Sequence, residues 1–201
     1  ESTSILTDAS LVGQRKTRAV AAWAERRGFA PLIHERLFDA SFTRHAEEPS
    51  IALCGIDNAI GRRALDQVGF DLVVEVGLGR GHRDFRTLRL HTLPGARPAS
   101  ELWRDRKAEE DTAARAAYQK MLNDGDLDHC GVTLLAGKAV GAPFVGAVGA
   151  ALALAEVLRL LHGGCLYQLI DLDLESLEHR LAVLNPTTFE HLNPGFTAIV
   201  S

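Results

Sequence analysis

The sequence predicts an α/β fold built on a Rossmann-like open sheet, with a parallel core and antiparallel edge strands. Residues 51–56 (IALCGI) and 71–76 (DLVVEV) are short, continuous apolar runs of the kind that fill a parallel sheet buried on both faces. Between them, residues 59–68 have helical composition and close at Gly69, so strand, helix and strand follow one another with the short links of a βαβ unit. Residues 83–93 (RDFRTLRLHTL) then alternate polar and apolar side chains, which predicts a half-exposed antiparallel strand at an edge.

The remaining elements follow in order. Leu11, Val12, Ala19, Ala22, Trp23 and Ala24 recur in a broadly helical pattern over residues 10–27, with Ser10 as cap and Gly28 as stop. Residues 31–38 (PLIHERLF) form a short strand candidate, and the Pro-rich turn 94–98 breaks the chain after the edge strand. Residues 101–122 are charged and Ala-rich, a surface helix that leads into the polar loop 123–129 and Cys130. Residues 139–155 (AVGAPFVGAVGAALALA) carry no charged side chain, yet fall short of about 20 strongly apolar residues. Pro143 near the start and Gly163-Gly164 past the end make this stretch a buried helix rather than a membrane span. Ala142, Gly146 and Ala150 recur every four residues, a face that lets a neighbouring backbone or ligand come close. Residues 166–172 and 181–184 are the final strands.

Composition excludes several function classes. With 46% hydrophobic and 24% charged residues in 201, the chain is neither a disordered tail nor a disulfide-stapled miniature. A net charge of -4 provides no basic field for a polyanion, so nucleic acid is not an expected partner, and neither is a membrane. Cys54, Cys130 and Cys165 form no Cys-x-x-Cys pair, which fits a reducing compartment, and no secretory pattern appears at residues 1–8, so the expected location is cytoplasmic.

Four places could carry chemistry. Residues 77–81 (GLGRG) follow a strand, but an alternating strand comes next instead of a phosphate-facing helix, so they read as a glycine-rich turn and not as a nicotinamide-nucleotide loop. Asp57 and Asn58 stand where the 51–56 strand ends, the place at which open α/β sheets bind ligands; there a carboxylate holds Mg²⁺ against phosphates, or the pair simply caps the next helix. Lys16 is either a solvated helix residue or a phosphate contact. Cys130, beside His129, is either a packed small residue or an accessible thiolate, whereas Cys54 lies inside an apolar strand.

The order of these features resembles the ThiF, MoeB and ubiquitin-activating-enzyme superfamily, whose members adenylate the C-terminal glycine of a ubiquitin-like protein. Residues 12–16 (VGQRK) look like the family's VGxxK segment, and Cys54-Gly55-Ile56-Asp57-Asn58 followed by Arg62-Arg63 is similar to its TDN-type strand end and Arg-containing helix. Residues 77–81 and the strand ending in Leu93-Pro94-Gly95 resemble the family's glycine turn and edge strand, and residues 141–159 its small-residue helix beyond the crossover region. The resemblance implies that Lys16 contacts ATP phosphates, that Asp57 serves Mg-ATP with Asn58 beside it, and that Cys130 accepts the activated carbonyl as a thioester. It also implies that Asp57 and Lys16 meet in one crevice. The partner it implies is a ubiquitin-like or sulfur-carrier protein, with a homodimer as a further association.

The family's nucleotide loop and ribose-binding acidic residue belong to an earlier βαβ unit, and its Cys-x-x-Cys zinc ligands have no counterpart here. Residues 1–201 therefore read as the C-terminal portion of a ThiF-like adenylation domain. Residues 1–82 form its βαβ part, and residues 83–201 its crossover loop, small-residue helix and final strands. The expected function is one part of an ATP-dependent adenylyltransferase, inactive as this fragment alone; the alternative is a non-catalytic ThiF-like binding or dimerisation module.

Overall fold

The computed structural model of the protein describes residues 9–11, 13–79, 84–104 and 142–193. Five strands, β1 (Ile51–Cys54), β2 (Leu72–Leu78), β3 (Thr87–Leu93), β4 (Tyr167–Asp173) and β5 (Arg180–Leu184), form one open sheet in chain order. Only β1 and β2 run parallel, and the other three pairings are antiparallel. The expected parallel core is thus a single parallel pair at one side of a mixed sheet. Nor does β3 lie at an edge, since it is the central strand. Its alternation does mark a partly exposed face, at Thr87 and Arg89, but one that also carries charged partners: His91 stands opposite Glu75 of β2, and Arg89 opposite Asp171 of β4.

Helices cover both faces. On one side lie α2 (Ala59–Ala64) and α3 (Ala99–Leu102), and with Val73 and Leu93 of the sheet they bury Leu65 and Ala99. The expected helix over 101–122 falls mostly outside the described residues. On the other side α4 (Pro143–Leu161) packs on β2 and β3, joining Ala153 and Leu160 to Leu72, Val74 and Leu90. Pro143 occupies its first turn, where a missing N–H costs nothing. At its C-terminus the Gly164 amide donates to the Arg159 carbonyl at 2.8 Å and the Gly163 amide to the Leu160 carbonyl at 3.0 Å. This is a Schellman closure, and Gly163 supplies the left-handed turn it needs at φ +73°. Asn193 donates to the carbonyls of Leu160 and Leu161, satisfying the end of the helix from outside.

Burial of α4 is one-sided. Val145, Gly149, Ala153, Glu156 and Leu160 face the sheet, whereas Phe144, Leu154, Leu158 and Leu161 are exposed. By length and composition this helix is apolar enough to cross a membrane, although one face of it covers the sheet. The close approach occurs at Gly149, where an added Cβ would stand 2.7 Å from Val76 Cγ1, and not at the predicted face of Ala142, Gly146 and Ala150. Gly146 has open space around it. Four-residue spacing alone could not say which face turns inward.

Two N-terminal expectations also change. The first helix, α1 (Lys16–Glu25), starts after a separate 3-10 turn at Ala9–Leu11, because Gly13 at φ +86° interrupts any helix running on from Ser10. Residues 31–38 form no strand. Side chains there bond locally instead, with His34 to Glu48 at 2.8 Å and Arg18 to Glu35 at 2.6 Å, and the backbone has no neighbouring strand to pair with.

The two glycines of α4 should respond with opposite signs. Gly149→Val forces a branched side chain into Val76 and should cost about 2 kcal/mol, typical of overpacking. Gly146→Ala gains helix propensity in open space and should stabilise by up to about 1 kcal/mol. Thermal unfolding of the two variants checks both.

Candidate functional site

The inward side chains of β2, β3 and β4 on the α2/α3 face form the floor of a cleft of about 1100 Å³. Ala59 and Arg62 of α2, Leu102 and Trp103 of α3, and Leu78 and Gly79 at the carboxyl end of β2 complete its walls. The cleft therefore reaches the carboxyl end of β2, the end at which sheets of this kind bind ligands.

Its floor is built around a buried carboxylate. Glu75 sits in an otherwise apolar strand with its side chain 1% exposed, a position a carboxylate holds only with compensating charge. Arg62 Nε lies 2.8 Å from Glu75 Oε1, off the donor axis, so the contact is a Coulombic pair and not an aligned hydrogen bond. His91 Nδ1 lies 3.7 Å from Glu75 Oε2 and likewise makes no hydrogen bond. Trp103 closes the cluster, edge-on to the His91 ring with centroids 5.2 Å apart and 5.9 Å from the Arg62 guanidinium carbon. Further along the floor, Arg89 Nε donates to Asp171 Oδ2 at 3.0 Å.

Two further titratable groups on this side are shifted, chiefly by burial. Cys54 stands opposite Glu75 in the sheet, and burial, reinforced by the Glu75 charge, pushes its thiol up to about 12. Asp66 accepts from the Ala99 amide and so caps α3 from a different element; burial pushes its carboxyl upward, opposed by that hydrogen bond.

The residues singled out from the sequence fall in three places. Asp57 and Asn58 stand together between β1 and α2, just before Ala59 of the cleft wall, and neither is itself a lining residue. Asn58 is the N-cap of α2, its Oδ1 accepting from the Gly61 amide at 2.7 Å, and its Nδ2 lies 3.4 Å from Asp57 Oδ1. Lys16 is exposed at the start of α1, which packs extensively on no strand and is tied by Arg15 and Arg18 to Glu35. Lys16 does not line the cleft. Cys130 and His129 lie outside the described residues. Of residues 77–81, expected to be a glycine-rich turn, Gly77 and Leu78 belong to β2, and residues 80–81 lie outside the described residues.

Sequence reasoning gave no role to Glu75, His91 or Trp103, took Gly77 only as part of a turn, and named Arg62 only within the resemblance. One signal was available: an acidic residue inside the run LVVEV demands a cation from elsewhere in the fold.

Comparison with known proteins places this architecture. Residues 1–164 match the family described as the BilD C-terminal domain. The chain belongs to that family. It is 48% identical over 172 residues, 85% of its length, to the Bacterial E1-like protein BilD of Collimonas sp. (strain OK412). The chain spans 37% of that relative's length. No solved structure matches. The relative's name agrees with the ThiF and ubiquitin-activating resemblance at the level of an E1-like protein.

Two measurements check this description. Iodoacetamide at pH 8 should alkylate exposed Cys165 well before Cys54, followed by peptide mapping. The folded Cys54 thiol titrates above its ordinary value of 9.0, so its contribution to stability is fully present below pH 9 and is lost as pH rises toward about 12. Cys54→Ser should flatten that alkaline loss in denaturant titrations. Separately, Asn58→Ala should cost about 1 kcal/mol of stability through loss of the cap.

Proposed function

We propose that this chain is the C-terminal part of an ATP-dependent activating enzyme that adenylates the C-terminal glycine of a ubiquitin-like or sulfur-carrier protein. The observation that carries the reading is the 48% identity to an E1-like protein. The cleft supports it: an open groove over the sheet, walled by the helix that Asp57 and Asn58 precede, has room for an extended chain end.

The residues present are compatible with Mg-ATP in one respect. Among the described residues no three His, Cys, Asp or Glu side chains cluster as a metal site. Magnesium held against phosphates takes one or two carboxylates and keeps several waters, a requirement Asp57 meets from an exposed strand end. The ion supplies charge neutralisation at the phosphates. In this reading Asp57 orients the ion and Lys16 offsets phosphate charge, which requires α1 to approach Asp57. Asn58 fixes the first turn of α2 and with it the direction of Asp57. The partner's terminal carboxylate oxygen bonds to the α-phosphorus and pyrophosphate leaves, a step in which positioning and charge stabilisation carry most of the rate. Cys130 then takes the acyl group as a thioester and AMP departs.

Partner-dependent ATP-pyrophosphate exchange by the full-length protein tests the reading. Asp57→Asn should lower exchange by about a hundredfold or more with the circular dichroism spectrum unchanged. Cys130→Ala should leave exchange intact and remove a thiol-sensitive adduct with the partner. Absence of exchange in the unaltered protein would favour a non-catalytic binding module, and unchanged exchange in Asp57→Asn would remove Asp57 from the site.

A further inference from the structure

We infer that Arg62 is an oxyanion-binding residue of the cleft, pre-set by Glu75 and by the missing side chain of Gly77, and that it receives a carboxylate or phosphate group. The inference deepens the function proposed above and rests on it only for the source of the oxyanion.

Two features of the cleft floor are costly to the fold, and both converge on Arg62. Burying the Glu75–Arg62 pair gives up hydration on both sides, and such pairs are weak contributors to stability compared with apolar packing. A glycine inside a strand loses backbone entropy and packs nothing. Yet Gly77 lies within β2, and a Cβ there would stand 2.7 Å from Arg62 Nη2 and 3.2 Å from both Nη1 and Cζ. The end of the guanidinium thus occupies the space that any side chain at position 77 would take.

Glu75 takes the inner corner of the fork at Nε. The outer Nη edge has no hydrogen-bond partner among the described residues, and Arg62 lines the open cleft with its side chain 15% exposed. A planar fork held at one corner and free along its outer edge is matched by the two oxygens of a carboxylate or phosphate. Arg97 lines the same cleft with no ion pair among the described residues, adding a second cation toward an anion bound there. The Arg89 guanidinium, in contrast, is already taken by Asp171.

Three probes test this on the full chain: a peptide ending Gly-Gly with a free carboxylate, the same peptide amidated, and inorganic pyrophosphate. Calorimetry reads affinity, and nitrogen-detected NMR reads the Arg62 side chain. The free-carboxylate peptide or pyrophosphate should bind and move the Arg62 resonance, and the amidated peptide should not. Movement by the carboxylate peptide alone assigns the site to a partner's chain end; movement by pyrophosphate alone assigns it to a nucleotide. If neither moves the resonance, the inference is overturned.

Positioning is tested by Gly77→Ala, which displaces the flexible end of Arg62 without altering any charge. It should weaken probe binding by about tenfold or more at nearly unchanged melting temperature; Glu75→Gln should weaken binding as much while lowering the melting temperature. Should Glu75→Gln fail to fold, Gly77→Ala decides. Unweakened binding in folded Gly77→Ala overturns the positioning role. Loss of pyrophosphate exchange in the unaltered protein with Arg62 binding preserved would sink the adenylation reading alone. Intact exchange with no probe response at Arg62 would sink this inference alone.

Discussion

A single ionised side chain on the central part of the sheet organises one whole face of this protein. Glu75 is surrounded by Val73, Val74 and Val76, and a carboxylate so placed is costly unless a cation comes to it. Arg62 meets that need, and because Arg62 sits in α2, the pairing fixes how α2 lies on the sheet. Removing either partner would leave an uncompensated buried charge, a loss of about 3–5 kcal/mol. His91 and Trp103 are drawn into the same cluster, so α3 is oriented by it as well. The upward shift of the Cys54 thiol reports the same field from the neighbouring strand.

The opposite face is held by different physics. There α4 lies against β2 and β3 with no charge pair across the contact, and the closeness of approach depends on Gly149 seating over Val76. Glu156 is the polar exception in that contact. Its buried carboxylate accepts from the Tyr167 amide at 2.8 Å and so pins the end of α4 to the start of β4. One face of the sheet is therefore dry and close-packed, while the other is charged and opens into the cleft. This asymmetry leaves the α2/α3 side available for chemistry and commits the α4 side to stability.

Membership of the BilD C-terminal domain family and the E1-like name of a relative sharing nearly half its residues place the protein among activating-enzyme relatives. The charged cleft gives that placement physical content. It runs from Asp171 of β4, across the floor at Glu75 and Gly77, to Ala59 and Arg62 of α2. The chain accounts for 37% of that relative's length.

What the sequence by itself determined was local. The apolar runs at 51–56 and 71–76, which hold the cores of β1 and β2, the helical stretch between them and the Pro and Gly that bound α4 follow from residue type and spacing, because each depends on neighbours a few positions away; the structure chose the cap, left open between Asp57 and Asn58, as Asn58. The tertiary structure decided everything that required knowing which element lies beside which. Alternation in β3 looked the same whether its polar side chains faced water or faced Glu75 and Asp171, and only strand order placed it at the centre. Small residues along α4 marked two faces equally well, and only the sheet chose Gly149 over Gly146. Gly77 read as part of a turn because a glycine's purpose is set by what fills the space it leaves, and the occupant, Arg62, comes from fifteen residues earlier in the chain.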